Sequence, residues 1–100
     1  MEIKETQEEG AVVLTLSGQI DERGAEKLKE KFSSLKKTKP EAVLMNFTNV
    51  SHIGSAGIGK LLLLYKDVAI YGGKIIITGL SPELKSIFVN LKLDTVFTIN

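Results

Sequence analysis

The chain has no cysteine, which excludes a disulfide framework and any thiolate chemistry. A single histidine leaves too few soft ligands for a zinc site built from the protein's own side chains. No excess of one charge is present either: 13 Lys and Arg stand against 12 Asp and Glu, so bulk charge points to neither nucleic acid nor an acidic membrane. Long apolar runs are missing, since the longest, residues 61–65, is far too short to span a bilayer. The opening Met1-Glu2-Ile3-Lys4-Glu5 lacks the basic-then-apolar order of a signal peptide. These absences point to a cytoplasmic protein that takes no cofactor and meets another protein.

What is present suffices for one domain over residues 1–100, because 43% of the 100 residues are hydrophobic and no repeat or linker interrupts them. Residues 11–17 are apolar and β-branched and read as a strand closed by Gly18. Residues 3–6 are expected to pair with it across a turn at 7–10. From Asp21, a cap residue, Ala25, Leu28, Phe32 and Leu35 recur at helical spacing, and the helix ends before Pro40. Residues 42–47 read as a buried strand, 57–70 as a second helix stopped by Gly72-Gly73, and 74–78 as a further strand. Ser81 caps a third helix with Pro82 in its first turn and Leu84, Ile87, Phe88 and Leu91 as its inner stripe, and residues 96–99 form a tail strand. In the second helix the expected core stripe is Ile58, Leu61, Leu62, Tyr65 and Ala69, leaving Leu63, Leu64 and Val68 to a neighbouring element or a partner.

Strands alternating with helices after a hairpin define the α/β class: a mixed sheet with an N-terminal hairpin and helices mainly on one face. Functional groups then belong at the carboxyl ends of the strands, where Asp21 and the loop from Ser51 to Ser55 would become neighbours.

That loop carries the chemistry. His52-Ile53-Gly54-Ser55-Ala56-Gly57-Ile58-Gly59-Lys60 places a hydroxyl among glycines where an extended segment turns into an apolar helix. Unpaired N–H groups and the positive end of the helix dipole favour a phosphoryl group there, whether on Ser55 or on a ligand. The plainer reading makes Ser55 the N-cap of a helix starting at Ala56 or Gly57. A third arises because residues 54–60 satisfy Gly-x-x-x-x-Gly-Lys, the front of a nucleotide-binding loop, although Leu61 stands where a magnesium-binding hydroxyl is needed. No serine, histidine and carboxylate set is spaced for catalysis, so a non-enzymatic role is expected. His52 reads as a surface residue of the loop, and Lys60 as a solvated helix residue unless it meets a partner's acidic group.

Taken in order, Leu16-Ser17-Gly18-Gln19-Ile20-Asp21, the stretch from Phe47 to Gly59, Gly72-Gly73 and Ser81-Pro82 resemble the STAS domains of anti-sigma factor antagonists. The resemblance covers nearly the whole chain. It implies a regulator of transcription that binds a kinase-type anti-sigma factor while unphosphorylated, is switched off by phosphorylation at Ser55, and is reset by a phosphatase. It also implies that Asp21 matches an acidic residue close to the acceptor and that Gly57 matches the motif's glycine. Gly54 stands where the family has aspartate and Ala56 where it has a second hydroxyl. A scaffold that binds its partner constitutively is therefore the alternative. The expected docking residues are Asp21, His52, Gly54, Ser55, Ala56, Gly57, Ile58 and Lys60.

Overall fold

Alternation of apolar and polar residues dictates the sheet. In the computed structural model, which describes residues 1–100, β1 (Glu2–Glu8) and β2 (Ala11–Ile20) form the hairpin, turning at Gly10 with φ 74°. They are followed by α1 (Glu22–Thr38), β3 (Ala42–Ile53), α2 (Ser55–Ile70), β4 (Lys74–Thr78), α3 (Pro82–Asn90), a 3-10 turn at Leu93–Thr95 and β5 (Thr98–Ile99). The sheet order is β1-β2-β3-β4-β5, with β1 antiparallel to β2 and every other pair parallel. This is the mixed sheet and N-terminal hairpin expected from the sequence.

Val12, Leu14 and Leu16 of β2, Val43, Met45 and Phe47 of β3, and Ile75 and Ile77 of β4 are buried together with Leu28 and Phe32 of α1, Leu61 and Leu64 of α2, and Leu84 and Phe88 of α3. All belong to one core cluster, so the three helices share one face of the sheet. The alternate residues Val13, Leu44 and Ile76 lie in register on the opposite face and are only partly buried. Both hydroxyl and carboxylate caps are as read from the sequence. Asp21 accepts from the Gly24 N–H, and Ser81 accepts from the Leu84 N–H.

Three expectations differ from the structure. In α2 the buried stripe is Gly57, Leu61, Leu64 and Val68, whereas Leu62, Tyr65 and Ala69, expected inside, are exposed. Four consecutive leucines carry no period, so hydropathy could not fix the phase; close packing of Gly57 fixes it instead. In α3, Leu91 follows the last helical residue and is 54% exposed rather than part of the inner stripe. The tail strand is also shorter than expected, because the 3-10 turn takes up Leu93–Thr95 and Phe97 is buried against Tyr65 in an edge-to-face contact.

Both central strands run further than their apolar cores. β2 continues through Gly18 to Ile20, and β3 through Thr48, Asn49 and Ser51 to Ile53. The register between them slips twice, so that Thr15 and Ser17 face Asn46 and Asn49, and Gly18 and Gln19 face Val50 and His52. Each slip places one extra residue in β3, a bulge that twists the strand and re-aims its end.

Candidate functional site

The bulged ends of β2 and β3 build the site. Ile20 pairs with Ile53, and the Gly54 N–H donates to the Ile20 carbonyl at 3.0 Å. From this last rung the two chains leave the sheet side by side, one into α1 through Asp21 and the other into α2 through Gly54.

Gly54 is the N-cap of α2, with φ −96° and ψ 176°, an extended conformation open to any residue. It supplies no side chain to the cap, and its carbonyl accepts from the Ile58 N–H at 3.1 Å. Ser55 is therefore the first helical residue and not the N-cap, so the capping role read for it from sequence does not hold. Its side chain is exposed, and its hydroxyl takes part in no hydrogen bond within the chain. The N–H groups of Ser55, Ala56 and Gly57 have no backbone acceptor, which leaves the positive end of the α2 dipole at the hydroxyl.

Gly57 explains why the motif needs a glycine. A Cβ there would lie 2.5 Å from Ile20 Cγ2 and 3.0 Å from Ile53 Cγ1, so the helix packs on the strand ends only without a side chain. Gly54 is different: a Cβ there would meet the Ile20 carbonyl at 3.8 Å and His52 Nε2 at 3.9 Å, ordinary contacts. Its departure from the family's aspartate has no steric cause.

Asp21 sits on the neighbouring chain, exposed, with Oδ1 accepting from the Gly24 N–H at 2.9 Å. That hydrogen bond holds its carboxyl below the usual aspartate range. The carboxylate is thereby fixed and ionised beside the start of α2. His52 is exposed and pairs with Gln19. Ala56 is partly buried and lines a hollow with Glu22 and Ala25, a neighbourhood the sequence reading missed although Glu22 and Glu26 lie four apart on α1. Ile58 is partly buried and packs on the core. Lys60 stands a turn further on in the groove between α1 and α2, lining the same hollow as Ala56. Of the expected docking residues, Asp21, His52, Gly54, Ser55, Ala56 and Gly57 thus gather at one end of the sheet, while Ile58 packs on the core and Lys60 stands a turn further along α2.

The nucleotide-loop reading fails on the same geometry. Gly59 and Lys60 lie within α2, so the stretch from Gly54 has no loop of free N–H groups to wrap a polyphosphate. No helix is long and apolar enough to cross a membrane.

A sheet of this order, with its helices on one face and a hydroxyl at the start of α2, defines a small α/β fold with a mixed five-stranded sheet. The STAS domain family model matches residues 2–100, and the chain belongs to the STAS domain family. Solved structures agree on the fold. The anti-sigma factor antagonist SpoIIAA in its unphosphorylated form is 20% identical, with 95% of this chain and 97% of that one covered and a TM-score of 0.75. The Bacillus SpoIIAA in its phosphorylated form is 21% identical over 99% and 91%, with a TM-score of 0.79. An anti-sigma factor antagonist from Mycobacterium paratuberculosis is 21% identical over 98% and 83%, with a TM-score of 0.87. The STAS domain of a Vibrio cholerae SulP transporter is 20% identical over 94% and 75%, with a TM-score of 0.71. At these identities the likeness is one of fold, and it extends to transporter domains as well as antagonists.

Proposed function

We propose that this chain, acting as one domain over residues 1–100 in the cytoplasm, is an anti-sigma factor antagonist. It binds a kinase-type anti-sigma factor through the loop and helix start around Ser55, releasing the sigma factor. Phosphorylation of Ser55 by that partner switches binding off, and a phosphatase restores it. The catalysis belongs to the partners.

The observation that carries this reading is Ser55 itself: an exposed, unbonded hydroxyl at the first position of α2, beside the ionised Asp21. A phosphoryl group there adds about −1.5 to −2 charges. The unpaired N–H groups of α2 accommodate that charge within the fold. A partner surface closed over a neutral hydroxyl does not, because a buried unpaired charge costs several kcal/mol. Asp21 adds repulsion of the same sign. Fold likeness to antagonists supports the reading.

The test is intact-mass measurement after incubation with a kinase-type anti-sigma factor and ATP. One phosphoryl group on the parent chain and none on Ser55→Ala is the expected result. An unmodified parent that still binds the partner would instead establish the constitutive scaffold, the reading that the departures at Gly54 and Ala56 favour.

A further inference from the structure

Between α1 and α2 runs a groove whose rims carry an ordered charge pattern. Along α1, Glu22, Glu26, Lys29, Ser33 and Lys36 follow at alternating steps of four and three, which makes them one stripe down the helix. Ala56, Lys60, Leu63 and Asp67 form the matching stripe on α2. The stripes face each other. Glu22, Glu26, Ala56 and Lys60 line a hollow of about 510 Å³ at the Ser55 end. Lys29, Lys36, Lys60 and Lys66 line a second of about 210 Å³ beyond it. Leu63 lines both hollows and is 54% exposed, while the buried Phe32 and Leu64 line the second.

Lys36 is paired with Asp67 at 3.4 Å. Lys29, Lys60 and Lys66 have no acidic partner in the chain, and neither have Glu22 and Glu26. An exposed leucine flanked by three unpaired ammonium groups complements an apolar side chain flanked by carboxylates. A uniformly anionic surface, whether lipid headgroups or a nucleic-acid backbone, complements only half of the groove, because Glu22 and Glu26 stand on the same rim. Residues 22–36 of α1 span about 21 Å at the usual helical rise, the length of a partner helix of about four turns.

We propose that this groove docks an amphipathic helix of a partner protein. Acidic side chains of that helix lie over Lys29, Lys60 and Lys66, a leucine-like side chain packs on Leu63, and a neutral or basic end lies over Glu22 and Glu26. The inference rests on the proposed function only in taking the occupant to be the protein that meets Ser55.

Its test needs neither kinase nor Ser55. The isotope-labelled chain is titrated, with amide shifts followed, against two helix-stabilised peptides of about four turns. Both carry leucines on one face; one has glutamates flanking the leucines in half its length and lysines in the other, and the second has lysines throughout. The mixed peptide should shift amides along Lys29, Ser33, Lys60 and Leu63. It should bind about tenfold tighter than the all-lysine peptide, the worth of three exposed ion pairs. Lys60→Glu with Lys66→Glu should abolish that preference. Equal binding of the two peptides, no binding of the mixed one, or shifts confined to the opposite face around Leu44 would overturn the proposal. So would tight binding to phosphatidylserine vesicles lost in the same double variant, which would assign the lysines to a membrane. Because Ser55 is untouched throughout, loss of the phosphorylation switch would leave this result standing, and the reverse.

Discussion

The N–H of Gly54 donates to the carbonyl of Ile20 at 3.0 Å, and this one bond ties the start of α2 to the point where β2 gives way to α1. Asp21 and Ser55 follow immediately on either side of it. Their closeness is thus a property of the backbone and does not depend on either side chain.

Gly57 and Gly59 lie two residues apart in α2 and should respond oppositely to alanine. At Gly57 the added methyl meets Ile20 and Ile53, an overpacking expected to destabilise by about 1–3 kcal/mol, beyond the helix-propensity gain of about 1 kcal/mol. At Gly59 nothing lies within 4 Å of the added methyl. Gly59→Ala should therefore stabilise by about 0.5–1 kcal/mol. Urea titrations of both variants check the pair, and equal effects would mean that Gly57 is not the contact that sets the helix.

Acid should weaken the fold through two named carboxylates. Glu5 is held below its ordinary value of 4.5, first by its hydrogen bond from Lys31 at 2.9 Å, and Asp21 below 3.8 by the Gly24 N–H. For a group depressed on folding, the stabilisation is complete above the unfolded value and is lost as pH falls through the folded one. Melting temperature should accordingly fall as pH drops below those ordinary values. Glu5→Gln and Asp21→Asn should each flatten that fall, and an unchanged slope in both would remove these groups as its cause.

Legibility in the sequence followed the contrast between neighbours. α1 could be phased because Ala25, Leu28, Phe32 and Leu35 stand among charged residues. α2 could not, because the leucines at 61–64 are alike and the selecting residue, Gly57, has no side chain to announce itself. The extension of β3 past Phe47 was hidden by Thr48, Asn49 and Ser51, loop-like residues that stay in the sheet only through two bulges. Asp21 and Ser55 were legible as neighbours because parallel strands bring their carboxyl ends together. That Gly54, rather than Ser55, caps α2 was not, since a glycine N-cap works through the backbone alone.

Gly54→Asp restores the residue that the family resemblance expects. The extended backbone at Gly54 and its ordinary Cβ contacts admit aspartate without strain. As an N-cap in place of glycine, its carboxylate should add a few tenths of a kcal/mol to stability. If that carboxylate is also what a kinase reads, phosphorylation of Ser55 should be faster than in the parent. Melting curves and timed intact-mass measurements separate the two effects, and equal or slower modification would show that the glycine is not a lost recognition charge.

Ser55→Ala and Ser55→Asp should part company in binding while agreeing in folding. The Ser55 hydroxyl makes no hydrogen bond, so Ser55→Ala should leave stability within about 0.5 kcal/mol of the parent, the range of surface substitutions. Ser55→Asp places a carboxylate at the first position of α2, where the dipole favours it by about 0.3–1 kcal/mol. Against a kinase-type anti-sigma factor the order changes. Alanine keeps the position neutral and should bind as the parent does. Aspartate puts an unpaired charge into the interface beside Asp21, which should weaken binding by about 2 kcal/mol, roughly 30-fold. Phosphoserine carries more charge than aspartate, so the natural switch should exceed this. Calorimetric titration of both variants, with thermal melts alongside, decides the matter: a folded Ser55→Asp that binds as tightly as Ser55→Ala leaves no electrostatic switch at Ser55.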